Sequence, residues 1–148
     1  MTLAEALDLR RNKRLVFTNG VFDILHSGHV VYLTKAAALG DLLIVGVNSD
    51  ASVRRLGKGP DRPVNPLEDR MVVLEGLKPV AGAVPFDEDT PEGLIRQLMP
   101  EVHVKGGDYR IEDLPEAQLV RSYGGEVVIL PLRPGRSTTQ TLRRLGLE

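Results

Sequence analysis

The chain has 148 residues, of which 42% are hydrophobic, a formal net charge of −1 and no cysteine. That length supports one well-packed domain over 1–148 and is too short for two, while near-neutral charge argues against a broad nucleic-acid footprint and the lack of cysteine excludes disulfides and fits a reducing compartment. No apolar run approaches membrane-spanning length and the charged start is not a signal peptide, so a cytoplasmic protein with no membrane and no nucleic-acid partner is expected.

Residues 1–13 read as a charged amphipathic helix, with Thr2 as N-cap and Glu5 as its capping-box partner. A first strand over 15–18 is short and apolar and stops at the turn signal Asn19-Gly20. Beyond it, Val30, Val31, Leu33, Ala37 and Leu39 recur at helical spacing and Gly40 supplies a stop, which predicts a helix over 30–39. His26 and His29, two of the three histidines, straddle its first turn. Unpaired backbone N–H groups and the macrodipole favour phosphate at such a start, and Gly28 gives an anion close access. The imidazoles can donate to a phosphoryl oxygen as charge builds on it. A pair of ordinary surface histidines is the bland alternative, but the strand–turn–helix setting argues against it. A zinc site is weaker still, since zinc needs further His or Cys ligands and His103 lies in a distant predicted strand.

The chain continues with a strand over 42–47 and a helix over 51–56. A Gly- and Pro-rich loop follows over 57–65, carrying Lys58 and Arg62, and it is expected to be flexible and able to swing over a phosphate. Asn65-Pro66 reads as N-cap and first helical residue of a helix over 67–77, and Thr90-Pro91 does the same for 91–98. Strands are predicted over 81–85, 102–105 and 126–130, with a helix over 114–122 that ends at Gly124-Gly125. The fourth strand runs into Lys105-Gly106-Gly107-Asp108-Tyr109, a turn that lets the chain pass close to a base or ribose. After the last strand, Gly135-Arg136-Ser137-Thr138-Thr139 opens a helix over 138–145 and brings hydroxyl, amide and guanidinium donors to one point. This alternation predicts an α/β domain with a doubly wound, parallel five-stranded sheet and its ligand site at the carboxyl ends of the strands. A 2-1-3-4-5-like winding is expected, with the first and fourth strands side by side.

Taken together, Thr18-Asn19-Gly20-Val21-Phe22-Asp23, His26-Ser27-Gly28-His29, Gly46-Val47-Asn48-Ser49-Asp50 and Ser137-Thr138-Thr139 resemble the cytidylyltransferase-like nucleotidyltransferases. Residues 62–70, 85–92 and 104–109 look most like the adenylyltransferase domain of the bifunctional heptose-phosphate kinase/adenylyltransferases, the ADP-heptose synthases. The resemblance implies a Rossmann-like nucleotidyltransferase fold. It also implies transfer of AMP from ATP to a sugar 1-phosphate, a heptose 1-phosphate first of all, with release of pyrophosphate. Mg2+ would be bound through the nucleotide phosphates, with no metal ligands from the protein. A homodimer is implied, and a separate sugar kinase in the pathway, because the kinase half has no counterpart in these residues.

Carried across by position, the resemblance makes His26, His29 and Lys58 catalytic, and the need to neutralise charge on the phosphates adds Arg136. Thr18, Asn19, Gly20, Phe22, Asp23, Lys105, Gly106, Asp108, Ser137, Thr138 and Thr139 join the histidines in binding nucleotide, and Asp23 and Arg70 contact the acceptor. Gly57 intervenes between Leu56 and Lys58, which shifts the lysine relative to the family's Leu-Lys-Gly. Arg133-Pro134-Gly135-Arg136 replaces the Arg-Thr-Glu-Gly-Ile of glycerol-phosphate cytidylyltransferases and favours the sugar branch. A cytidylyltransferase for glycerol 3-phosphate or another polyol phosphate is the near alternative. A non-catalytic nucleotide-binding regulatory module is the alternative from another class.

Overall fold

The computed structural model describes residues 1–57, 59–132 and 137–147. Five parallel strands, β1 (Leu15–Gly20), β2 (Leu42–Asn48), β3 (Gly82–Phe86), β4 (Val102–Gly106) and β5 (Glu126–Leu130), stand in the order β3-β2-β1-β4-β5. The first and fourth strands are neighbours as expected. The 2-1-3-4-5 winding is not found, because the chain steps outward from β1 through β2 to β3 and then returns to the other side of β1. That reversal sits between β1 and β4, where an open α/β sheet forms its crevice.

The helices are α1 (Leu3–Leu9), α2 (Ser27–Ala37), α3 (Asp50–Arg55), α4 (Leu67–Glu75), α5 (Glu92–Leu98), α6 (Pro115–Ser122) and α7 (Thr138–Arg144), with a 3-10 turn at Ile111–Asp113 before α6. None among the described residues is long and apolar enough to cross a membrane. Both faces of the sheet are covered, so β1 and β2 read as continuous apolar runs. Leu15 and Phe17 join Ile44, Ile95 and Val120 on one face, and Val16 joins Leu33, Val45, Leu74 and Val104 on the other. Between β1 and β4 the paired register covers Val16↔Val102 and Phe17↔His103. Beyond it the Thr18 hydroxyl bridges to the Val104 carbonyl at 2.8 Å, and the ends part to open the crevice.

Several predicted boundaries move for identifiable reasons. The N-terminal helix keeps its Thr2–Glu5 capping box and stops at Leu9, short of the expected 13. Neither Asn65 nor Thr90 is an N-cap, because Pro66 and Pro91 hold those places without a side-chain cap. Asn65 is engaged elsewhere, with its N–H donating to Asp23 Oδ1 at 2.9 Å and its side-chain amide to the Asp23 carbonyl at 2.8 Å. Helix α2 begins three residues earlier than its apolar spacing suggests, which makes His26 the N-cap.

His103 is a core residue. It is fully buried, stacks on Phe17 at 5.7 Å and bonds through Nε2 to Glu116 Oε1 at 3.0 Å. Burial pushes the Glu116 carboxyl up, but hydrogen bonding and charge from His103 bring it below the ordinary carboxylate value. Its contribution to stability is therefore present above that ordinary value and lost as pH falls through the folded one. Replacing His103 with Leu strands the carboxylate and should cost about 3–5 kcal/mol, whereas His103→Leu with Glu116→Leu should recover most of the loss. Urea unfolding of the three proteins at pH 7 reads both outcomes.

Candidate active site

A cavity of about 480 Å³ lies at the carboxyl ends of β1 and β4. Asn19, Gly20, Phe22 and Asp23 line it from β1 and its turn, His26 and His29 from the start of α2, Lys105 and Gly106 from β4, and Ser137, Thr138 and Thr139 from the start of α7. Arg62 adds a cation from the loop before α4. Most of the residues singled out from sequence thus converge on one place. Lys58 and Arg136, and Gly135 with them, lie outside the described residues.

The two histidines cap their own helix. His26 Nδ1 accepts from the Gly28 N–H at 3.0 Å, and His29 Nδ1 accepts from the His26 N–H at 3.2 Å. A ring nitrogen that accepts a backbone N–H carries no proton, so in the neutral ring the proton sits on Nε2. The rings pack at 4.1 Å, and Phe22 lies 5.7 Å from His29. Burial, followed by the charge of His26, pushes the His29 pKa down to about 4. At neutral pH His29 is an uncharged hydrogen-bond donor. The expected phosphate cradle of bare backbone amides is corrected accordingly. The Gly28 N–H is held by the His26 ring, and the His29 N–H is held by the His26 carbonyl at 3.0 Å.

The turn that places these rings is built around Phe22 and Asp23. Phe22 has a φ of +51°, a left-handed conformation rare outside glycine. Its ring lies over Gly20, where a Cβ would stand 3.0 Å from the ring carbon Cε2. Asp23 has a fully buried side chain that pairs with Arg62 Nε at 2.9 Å and accepts the Val64 and Asn65 N–H groups at 2.8 and 2.9 Å. Three donors converge on this carboxylate, and they anchor residues 62–65 of the loop expected to be flexible to the turn before the histidines.

Arg70, expected at the acceptor, is not among the residues lining the cavity. It is 1% exposed, and its guanidinium donates to the carbonyls of Val21, Asn48 and Asn65 and pairs with Asp50 at 2.7 Å. Thr18 is likewise fully buried, its hydroxyl held by Tyr32 and the Val104 carbonyl. Asp108 is exposed and absent from the lining, whereas Tyr109, Leu132 and Tyr32 are part of it. In α7, Ser137 Oγ caps the Gln140 N–H at 3.0 Å and the Thr138 hydroxyl donates to the Ile24 carbonyl at 2.9 Å, tying this helix to the histidine turn. Among the described residues no group of three or more His, Cys, Asp or Glu could hold a metal ion.

Sequence reasoning left Arg62, Tyr32 and Leu132 out of the site. Arg62 had a legible signal, a cation in a loop predicted to reach the phosphates. Nothing in the local pattern marked the other two.

A parallel sheet in this order, with a histidine pair at the first switch-point turn, has the architecture of a nucleotidyltransferase, and the chain belongs to the Cytidylyltransferase-like family, which matches residues 17–141. The Bifunctional protein HldE of Escherichia coli O1:K1 / APEC is 51% identical over 148 residues, 100% of this chain and 31% of that protein. HldE of Cronobacter sakazakii is 54% identical over 136 residues, 92% of this chain and 28% of that one. The chain thus spans about a third of the length of these relatives. Among solved structures, the lipopolysaccharide core biosynthesis protein of Thermoplasma volcanium matches with a TM-score of 0.67 and 30% identity, covering 82% of this chain and 98% of that one. Pantothenate synthetase of Thermus thermophilus shares the fold, with a TM-score of 0.61 and 18% identity over 88% of this chain and 60% of its own.

Two outcomes test this geometry. The His29 ring-proton resonance should stay flat from pH 8 to 5.5 and titrate near 4. Because the unfolded chain takes up that proton near 6.5, stability should also fall as pH drops from that value toward 4. Asp23→Ala should free residues 62–65 and remove the buried carboxylate that three donors share, costing about 3–5 kcal/mol. Faster proteolytic cutting in that loop, along with a lower melting temperature, reads the change.

Proposed function

We propose that this chain is a nucleotidyltransferase that moves AMP from ATP to a sugar 1-phosphate, a heptose 1-phosphate first of all, and releases pyrophosphate. The observation that carries the reading is identity of 51% to HldE along the whole chain, with the histidine pair inside the cavity. The acceptor phosphate is already anionic and nucleophilic, so the reaction asks for positioning and charge stabilisation rather than a strong base. The neutral Nε2–H donor of His29 suits that demand, because its hydrogen bond strengthens as charge grows on the α-phosphoryl oxygens. Lys105 adds positive charge to the cavity wall, where the charge of Arg62 is balanced by Asp23.

The residues fit a Mg2+ ion only as a passenger on the nucleotide. The Asp23 carboxylate is filled by its three donors, and the described residues offer no cluster of metal ligands. When bound through the phosphates, Mg2+ would neutralise part of their charge. The reading brings with it cytoplasmic location, a homodimer and a kinase reaction that supplies the phosphorylated sugar.

Pyrophosphate release measured with ATP, CTP, GTP and UTP against a panel of sugar and polyol phosphates tests the proposal. ATP with heptose 1-phosphate should give the fastest release. CTP with glycerol 3-phosphate as the best pair would replace it with the polyol reading, and nucleotide binding without release would replace it with a regulatory module. His29→Ala should lower turnover by about 10²–10³-fold while changing nucleotide affinity only a few-fold. Equal losses in both would remove the transition-state role.

A further inference from the structure

Three walls of the cavity meet at one carbonyl. The ladder between β1 and β4 ends at Phe17↔His103, and one residue further on a side-chain hydroxyl takes over the connection. Thr18 donates to the Val104 carbonyl at 2.8 Å, which leaves the Tyr32 proton for the Thr18 oxygen at 2.6 Å and, at the longer 3.2 Å, for the same carbonyl. Tyr32 belongs to α2, about one turn after His29. Its ring carries the contact past Val104, since a Cβ on Gly106 would stand 2.9 Å from Tyr32 Cε2. Thr18, Tyr32 and Val104 are all buried. Burial pushes the Tyr32 pKa up to about 12, so the phenol keeps its proton and remains a donor well above neutral pH.

Each member of this chain of hydroxyls has neighbours in sequence that line the cavity. Asn19 and Gly20 follow Thr18, Lys105 and Gly106 follow Val104, and His29 precedes Tyr32 on the same helix. Phenylalanine and valine would fill the same volumes, so space alone does not call for either hydroxyl. What the hydrogen bonds add is direction, at the point where backbone pairing no longer fixes how far β1 and β4 part. Catalysis by positioned donors is sensitive to such spacing, and a misplacement of about 1 Å can cost about 100-fold. Resting on the reading in the preceding subsection, we infer that Tyr32 is a positioning residue for nucleotidyl transfer, its hydroxyl setting the histidines of α2 against Lys105 across the crevice through Thr18 and the Val104 carbonyl. That hydroxyl is engaged inside the protein, so its effect on the reaction is carried by His29.

Single-turnover rates with ATP and heptose 1-phosphate, together with ATP dissociation constants from calorimetry, test the assignment on wild type, Tyr32→Phe, His29→Ala and the double variant. Tyr32→Phe should lower the rate about 10- to 100-fold while ATP affinity and the KM for the sugar phosphate stay near wild type. In the His29→Ala background the same change should have little further effect, because groups that act as a unit are not additive. Thr18→Val, which cuts the chain of hydroxyls at its centre, should repeat both results. Rates are compared below the melting midpoint of each variant, so that a displaced donor is read apart from an unfolded chain. An unchanged rate in Tyr32→Phe overturns the inference alone. So do losses that simply multiply in the double variant, or that fall equally on ATP affinity, since either makes the hydroxyl a structural group only. A wild-type protein that releases pyrophosphate from no nucleotide overturns the nucleotidyltransferase reading and the inference with it.

Discussion

The carboxyl edge of the sheet depends on one buried guanidinium. Parallel strands end with carbonyls that have no further ladder to join, and a buried carbonyl must find a donor. Arg70, reaching in from α4, donates to the carbonyl of Val21 just past β1, that of Asn48 at the end of β2 and that of Asn65 ahead of its own helix. Its charge is balanced by Asp50 in the first turn of α3. Separate pieces of chain are thereby fixed to one planar group, and a planar fork suits that work far better than a flexible ammonium. Everything nearer the cavity is built on this base.

Asp23 forms a second tier on the first. Its carboxylate gathers the Arg62 side chain and two backbone N–H groups, and its own carbonyl receives the Asn65 amide. The two tiers share Asn65, whose carbonyl faces Arg70 while its N–H faces Asp23. A disturbance at either carboxylate or guanidinium should therefore spread to the histidine turn. This is a reason to expect large, non-additive effects from substitutions that never meet a ligand.

The alternation of apolar runs with helical patterns made the sheet legible, and each strand falls within two residues of its expected bounds. The strand order was less so, since local pattern says which segments are strands but not which side of β1 each joins. The histidine pair, the glycine turn after β4 and the hydroxyls before α7 were visible because unusual residues clustered at element ends. Arg70 shows the opposite case. It falls in step with Leu67, Met71 and Leu74, the apolar face of α4, and a cation at such a position signals a charge satisfied inside the protein. Asn65 was misjudged for a related reason, because a capping residue type beside a proline says nothing of a carboxylate brought in from 42 residues away. Tyr109 and Leu132 come from different loops, and only the fold shows that they border one cavity.

Helix capping by His26 and His29 also limits what these rings can do. Each ring has a single lone pair, at Nδ1, and that lone pair holds a backbone N–H of the helix start. A ring in this state has no basic site left to face the cavity, so it can give a hydrogen bond but cannot take a proton from a nucleophile. To act as a base it would first have to release the helix. On the proposed reading, the two rings then serve as donors alone, which suits a nucleophile that arrives already ionised, as a phosphate monoester does.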